Sequence, residues 1–130
     1  MTRRLIASLT LAGAAFSGVV ADDAFAHYGD PRDPEVLGTI IREIRDDFVL
    51  IDVRTIEEYE EGHIPTAQNI DHREIARAMV EGDRSKPVIL YCRTGRRSGI
   101  AARDLERLGY QTIIDFGGIN RWRGEIETDN

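Results

Sequence analysis

"PVILYCRTGRRSGIAARDLERLGYQTIIDF", residues 87–116, reads as strand, loop, helix and strand in one unbroken run. "PVILYC" (87–92) is apolar to its last residue, as a strand buried on both faces requires. "SGIAARDLERLGY" (98–110) places Ala101, Leu105 and Leu108 at i, i+4 and i+7, a single helical stripe. "QTIIDF" (111–116) turns β-rich again. A strand, a helix and a following parallel strand close a right-handed crossover, and such units build a sheet covered by helices on both faces.

The chain upstream repeats this alternation. Asp33 can cap a helix that has Pro34 at its first position, with Leu37, Ile40, Ile41 and Ile44 on one face. "DFVLIDV" (47–53) reads as a buried strand. Thr55 and Glu58 form a capping-box pattern that opens the short helix "IEEYEE", closed by Gly62. "HIPTAQNI" (63–70) passes through a proline turn into a short extended segment. "REIARAMVEG" (73–82) reads as a helix, and Gly117–Gly118 turn into a short aromatic tail helix around Trp122. The expected fold is α/β, a central and mainly parallel sheet flanked by helices in three layers. In such sheets ligands bind outside the carboxyl ends of the strands, where both Asp52 and Cys92 fall.

The 130 residues suffice for one domain with an ordinary core. With 42% hydrophobic and 31% charged residues, the chain fits neither a disordered nor a membrane-spanning protein. The net charge of −6 excludes a general nucleic-acid binder, which needs a basic face. Against that acidic background Arg93, Arg96 and Arg97 cluster, a pattern suited to a small anion.

Residues 1–26 read as a secretory leader: a basic "MTRR", the apolar run "LIASLTLAGAAFSGVV", and the small–x–small "AFA" at 24–26. The run is short for a spanning helix, so no membrane attachment is expected once the leader is removed. Cleavage is expected after Ala26, leaving a domain over 27–130; "VVA" offers an alternative cut after Ala21. No Cys follows the apolar run, against a lipoprotein. Arg3–Arg4 hints at twin-arginine export, but the flanking residues favour the general route. The expected location is therefore the periplasm or another exported compartment.

Thiols in such compartments usually pair, yet Cys92 is the only cysteine in the chain. It is either an inert core residue or a free reactive thiol. The residues immediately downstream favour the second. Glycine in "RTGRRS" lets successive N–H groups curl inward, a helix N-terminus adds partial positive charge, and the arginines add full charges. All three favour thiolate over thiol. From Cys92 to Arg97 the spacing is C-x4-R, whereas a tyrosine-phosphatase loop is C-x5-R, and Ser98 stands where that arginine would be. The tighter loop suits one terminal sulfur rather than a phosphate, which argues against a phosphatase or arsenate reductase.

With these residues in place, the chain resembles a single-domain rhodanese, of a sulfurtransferase family. "LIDVRTIEEYEEGHIPTAQNI" (50–70) resembles that family's first signature, "CRTGRRS" its active loop, and "GGINRW" (117–122) its closing G-G-x-x-x-W. The likeness covers about residues 34–124, and one departure is Thr66, where the family has glycine. The resemblance implies ping-pong sulfur transfer through a Cys92 persulfide, with Arg93, Thr94, Gly95, Arg96 and Arg97 binding the anionic donor. It implies thiosulfate or a similar small anion as donor, and cyanide, a thiol or a thiol protein as acceptor. It implies no metal or organic cofactor, and a monomer. A non-enzymatic sulfur carrier or docking module shares the same cysteine and stands as the alternative.

The other polar residues read as structural. Arg54 and Glu58 are expected to pair with each other, Asp52 to cap or brace, and His63 to hydrogen-bond beside its proline turn. Cys92, His63 and His72 lack zinc-ligand spacing. A cut after Ala26 would make His27 the N-terminus, able to chelate copper through its amine and ring, though nothing else supports such a site.

Overall fold

A computed structural model describes residues 24–128; the expected leader up to residue 23 lies outside them. The first helix, α1 (Pro34–Ile44), starts as its sequence requires, with the Asp33 carboxylate accepting the Glu35 N–H at 2.9 Å. A 3-10 turn, Arg45–Asp47, leads into β1 (Val49–Asp52). Then come α2 (Ile56–Glu61), β2 (Gln68–Asn69), α3 (Ile75–Ala78), β3 (Val88–Cys92), α4 (Arg96–Arg107) and β4 (Ile113–Gly118). The capping box on α2 forms in full, Thr55 accepting from the Glu58 N–H and Glu58 from the Thr55 N–H. A substitution of such a cap by alanine costs about 0.5–2 kcal/mol.

The four strands lie in the order β2-β1-β3-β4, and every pair is parallel. Side chains alternate along β3, which divides the core in two. Ile89 and Tyr91 face α1 and join Leu37, Ile40, Phe48 and Phe116. Val88, Leu90 and Cys92 face the other way, against Ile75 of α3 and Ala101 and Leu105 of α4. The expected three layers are thus present. Phe25 also belongs to the α1 face, its ring edge-on to Phe48 with centroids 5.8 Å apart.

Several boundaries differ from the sequence reading. The helix expected over 73–82 spans only Ile75–Ala78, and side chains bond to carbonyls that lie beyond its end. Tyr110 donates to the Met79 carbonyl at 2.6 Å, and Arg84 to those of Val80, Gly82 and Leu108 at 2.9, 2.8 and 2.7 Å. The helix α4 begins two residues early, at Arg96, since Gly95 (φ 108°) takes the left-handed turn that leads into it. The last strand runs on through Gly117–Gly118 instead of turning there, and only Ile119–Arg121 form a 3-10 turn.

Thr66 departs from the resembled pattern at a demanding place: its φ is 74°, the one positive value of a non-glycine among the described residues. A left-handed backbone costs an L-residue about 1–2 kcal/mol, and glycine's extra unfolded-state freedom costs about 0.5–1 kcal/mol in return. Thr66→Gly is therefore expected to stabilise the fold by about 0.5–1 kcal/mol, seen as a melting temperature a few degrees higher. An unchanged or lower value would show that the turn carries no strain.

Candidate active site

Two strand ends meet here. The register of β3 against β4 slips between Leu90 and Tyr91, so that Tyr91 faces Gly117 and Cys92 faces Gly118. The slip sets a glycine beside the cysteine, and the loop needs it. A Cβ on Gly118 would lie 2.5 Å from the Arg93 carbonyl oxygen and 3.0 Å from the Thr94 Cα. The doubled glycine of "GGINRW" thus serves as the floor on which the active loop rests.

Residues 93–95 fold back over that floor, and the Gly95 N–H reaches the Cys92 sulfur at 3.0 Å. The Ser98 hydroxyl lies 3.6 Å from the same sulfur and 3.2 Å from the Gly95 carbonyl. With a thiol, the S–H donates to this hydroxyl; with a thiolate, the hydroxyl turns to donate to sulfur. Burial pushes the Cys92 thiol up, but hydrogen bonds from Ser98, Gly95 and Thr94 outweigh it and hold the pKa below the ordinary thiol value. Cys92 itself is only 1% exposed.

The three arginines separate into two kinds. Arg93 and Arg96 are exposed, with no ion pair among the described residues. Arg97 instead grips Glu58 with two bonds, at 2.8 and 3.0 Å. The Arg97 guanidinium holds the Glu58 carboxyl at about 2, helped by Thr55 and opposed by partial burial, so the pair stays ionised. This corrects one expectation: Glu58 pairs across 39 positions with Arg97 rather than with Arg54, and the pair ties the start of α4 to α2. Arg54 turns to Asp52, at 2.6 Å, and to the Gly62 carbonyl, also at 2.6 Å. Residues that stand close in sequence as D-V-R outcompete the more distant glutamate.

Of the expected loop residues, Gly95 and Thr94 touch the sulfur through their backbone, while the Thr94 side chain is exposed. Ser98 is the contact that sequence reasoning passed over; it had served only to show the absence of a phosphatase arginine. Its signal was its place, six residues after Cys92 at the first turn of a helix. His63 is structural as expected. Its Nδ1 lies 2.9 Å from the Tyr59 carbonyl and its ring stacks on Tyr59 at 3.8 Å. Asp52 and Arg54 are buried at the end of β1 and bond to each other, which leaves Asp52 as a brace. Trp122 donates its indole N–H to the Glu125 carbonyl at 2.9 Å and packs at the edge of the α1 core. A cleft of about 780 Å³ opens between α1 and the tail around Trp122, and no residue of the cysteine loop lines it.

Comparison with known proteins agrees with this geometry. A family model described as a rhodanese-like domain matches residues 36–125. The chain is 35% identical over 79 residues to the putative sulfur carrier protein YrkF of Bacillus subtilis, a match covering 60% of this chain but only 43% of YrkF. It is 30% identical over 100 residues to the thiosulfate sulfurtransferase GlpE of Pseudoalteromonas translucida, covering 76% of this chain and 90% of that protein. Among solved structures it superposes on a rhodanese with anions from E. coli, with a TM-score of 0.57 at 32% identity, covering 62% of this chain and 96% of the other. A loop-held cysteine at the carboxyl end of a parallel sheet, and a family match that spans both the loop and its glycine floor, lead to one conclusion: the chain belongs to the rhodanese-like domain family.

Proposed function

We propose that the protein is an exported sulfurtransferase that carries a sulfane sulfur as a persulfide on Cys92. The observation that carries this reading is the Cys92 sulfur held at 3.0 Å by the Gly95 N–H in an arginine-rimmed loop. The thiolate attacks the outer sulfur of thiosulfate or a similar donor. The donor's S–S bond breaks, sulfite leaves with the electron pair, and Cys92 bears a terminal S⁻. Cyanide or a thiol then attacks that terminal sulfur, and the electron pair returns to Cys92 as thiolate. The covalent intermediate divides one hard transfer into two easier ones.

Within this scheme the N–H groups of Thr94 and Gly95 stabilise charge on sulfur, first on the thiolate and then on the persulfide. Arg93 and Arg96 attract the anionic donor, and Arg97 fixes the loop they stand on. Export rests on the leader pattern of residues 1–26. The reading is of a monomer acting on small anions and thiols, with no nucleic acid among its partners.

Intact-mass spectrometry after thiosulfate treatment tests it. The expected result is a gain of one sulfur atom, removed by cyanide with formation of thiocyanate. No gain with thiosulfate or with polysulfide would end the persulfide reading. A second reading, a sulfur carrier, draws on the near-complete burial of Cys92 and on the kinship with YrkF. It predicts that the sulfur loads but leaves only to a partner protein's thiol, and cyanide release distinguishes the two.

A further inference from the structure

The beginning of the mature domain can be read from its core. By residue type alone, a leader is cut best after Ala26, where Ala24 and Ala26 give the small–x–small pattern; Val19 and Ala21 offer a second place. The structure weighs against the first. Phe25 lies inside that leader, yet it is 1% exposed and packs edge-on against Phe48, within the core that α1 closes. Its carbonyl accepts the N–H groups of Tyr28 at 2.8 Å and Gly29 at 2.9 Å, forming the turn that leads toward α1.

We propose that the export leader is removed after Ala21, so that the mature chain begins at Asp22 and retains Phe25 as a core residue. The inference rests on the proposed export of the protein. A leader is cut from a chain that has not yet folded, so the fold does not shield the bond after Ala26; it penalises the product instead. A chain starting at His27 would have a hole beside Phe48 where an aromatic ring belongs, and deleting a buried phenyl is among the costliest core changes. The N–H groups of Tyr28 and Gly29 would also lose their acceptor. A cut after Ala21 keeps the ring and both hydrogen bonds. It also makes His27 the sixth residue of the mature chain, which removes the amine-and-ring copper chelate that the other cut would create.

The full chain, expressed with its own leader in a Gram-negative host and recovered from the periplasm, gives the test by intact mass. The expected species begins at Asp22, five residues longer than one beginning at His27. Ala21→Leu, which puts a bulky residue next to the cut, is expected to block processing, and Ala26→Leu to leave it unchanged. A mature chain beginning at His27 overturns the proposal while export stands; an unprocessed chain overturns both. Phe25→Ala, processed in the same way, is expected to melt at least about 10 °C lower, and the milder Phe25→Leu a few degrees lower. Melting unchanged in both variants would show that Phe25 anchors nothing. Sulfur loading on Cys92, measured on the same samples, keeps a failure of the catalytic reading separate from a failure of this one.

Discussion

Cys92→Ser is expected to abolish sulfur transfer while leaving the fold intact. Cyanide-trapped turnover should fall by about 10⁴-fold or more, to background, because the substitution removes the atom on which both half-reactions take place. The loss is chemical rather than structural. Serine keeps the size of the side chain and supplies an oxygen that can still accept the Gly95 N–H, so the loop geometry at 3.0 Å is retained in kind. The melting temperature should therefore stay within a few degrees of wild type. No sulfur should be gained on thiosulfate treatment, and that measurement separates a dead nucleophile from slow release. Turnover above a hundredth of wild type would show that sulfur travels by another route. The wild-type thiol itself should be alkylated by iodoacetamide with a midpoint pH below that of an ordinary cysteine, as its lowered pKa requires. A midpoint at or above the ordinary value would mean that burial outweighs the hydrogen bonds around the sulfur.

What the sequence disclosed depended on how locally each feature is encoded. The strand at 88–92 and the helix at 34–44 are set by periodicity and by caps a few residues away, and both appear close to where the pattern puts them. The cysteine loop was legible for the same reason, since its glycine, its arginines and its helix all lie within six residues of the thiol. The partners that cross the fold were not. Just past the end of α3, the Met79 carbonyl is taken by the hydroxyl of Tyr110, 31 positions downstream. Arg97 stands with the other loop arginines in the sequence, and nothing local announces its partner Glu58 on a different helix. Net charge and motif spacing count arginines; only packing tells which of them face solvent.

The glycine pair shows the same limit from the other side. "GG" before an aromatic tail reads as a turn, because glycine most often serves backbone freedom. Gly117 does use that freedom, with φ at 97°. Gly118 has φ at −95°, where any residue is comfortable, and is required for space instead: the loop backbone passes where its Cβ would be. A register slip in β4 brings it there, and no local pattern announces a slip.

Asp52→Ala is expected to cost the most stability of any single change at this end of the sheet. Both Asp52 and Arg54 are buried, 0% and 6% exposed, and the carboxylate accepts the Arg54 backbone N–H and Nε at 2.9 Å and its guanidinium NH2 at 2.6 Å. Removing the carboxylate leaves a guanidinium without a counter-charge in the core, a loss of about 3–5 kcal/mol. That corresponds to a melting temperature lower by more than about 10 °C. The pair also holds the Gly62 carbonyl at the end of α2, the helix whose Glu58 braces the loop, so activity should fall along with stability. Pairing the change with Arg54→Met distinguishes charge from packing. If the cost is an uncompensated ion, the double variant should recover part of the stability lost by Asp52→Ala alone, since an apolar replacement of both partners leaves no charge stranded. A double variant no better than the single would place the cost in the lost hydrogen bonds to backbone instead. Asp52→Ala melting within a few degrees of wild type would show that water reaches Arg54 and that the pair is not buried in solution.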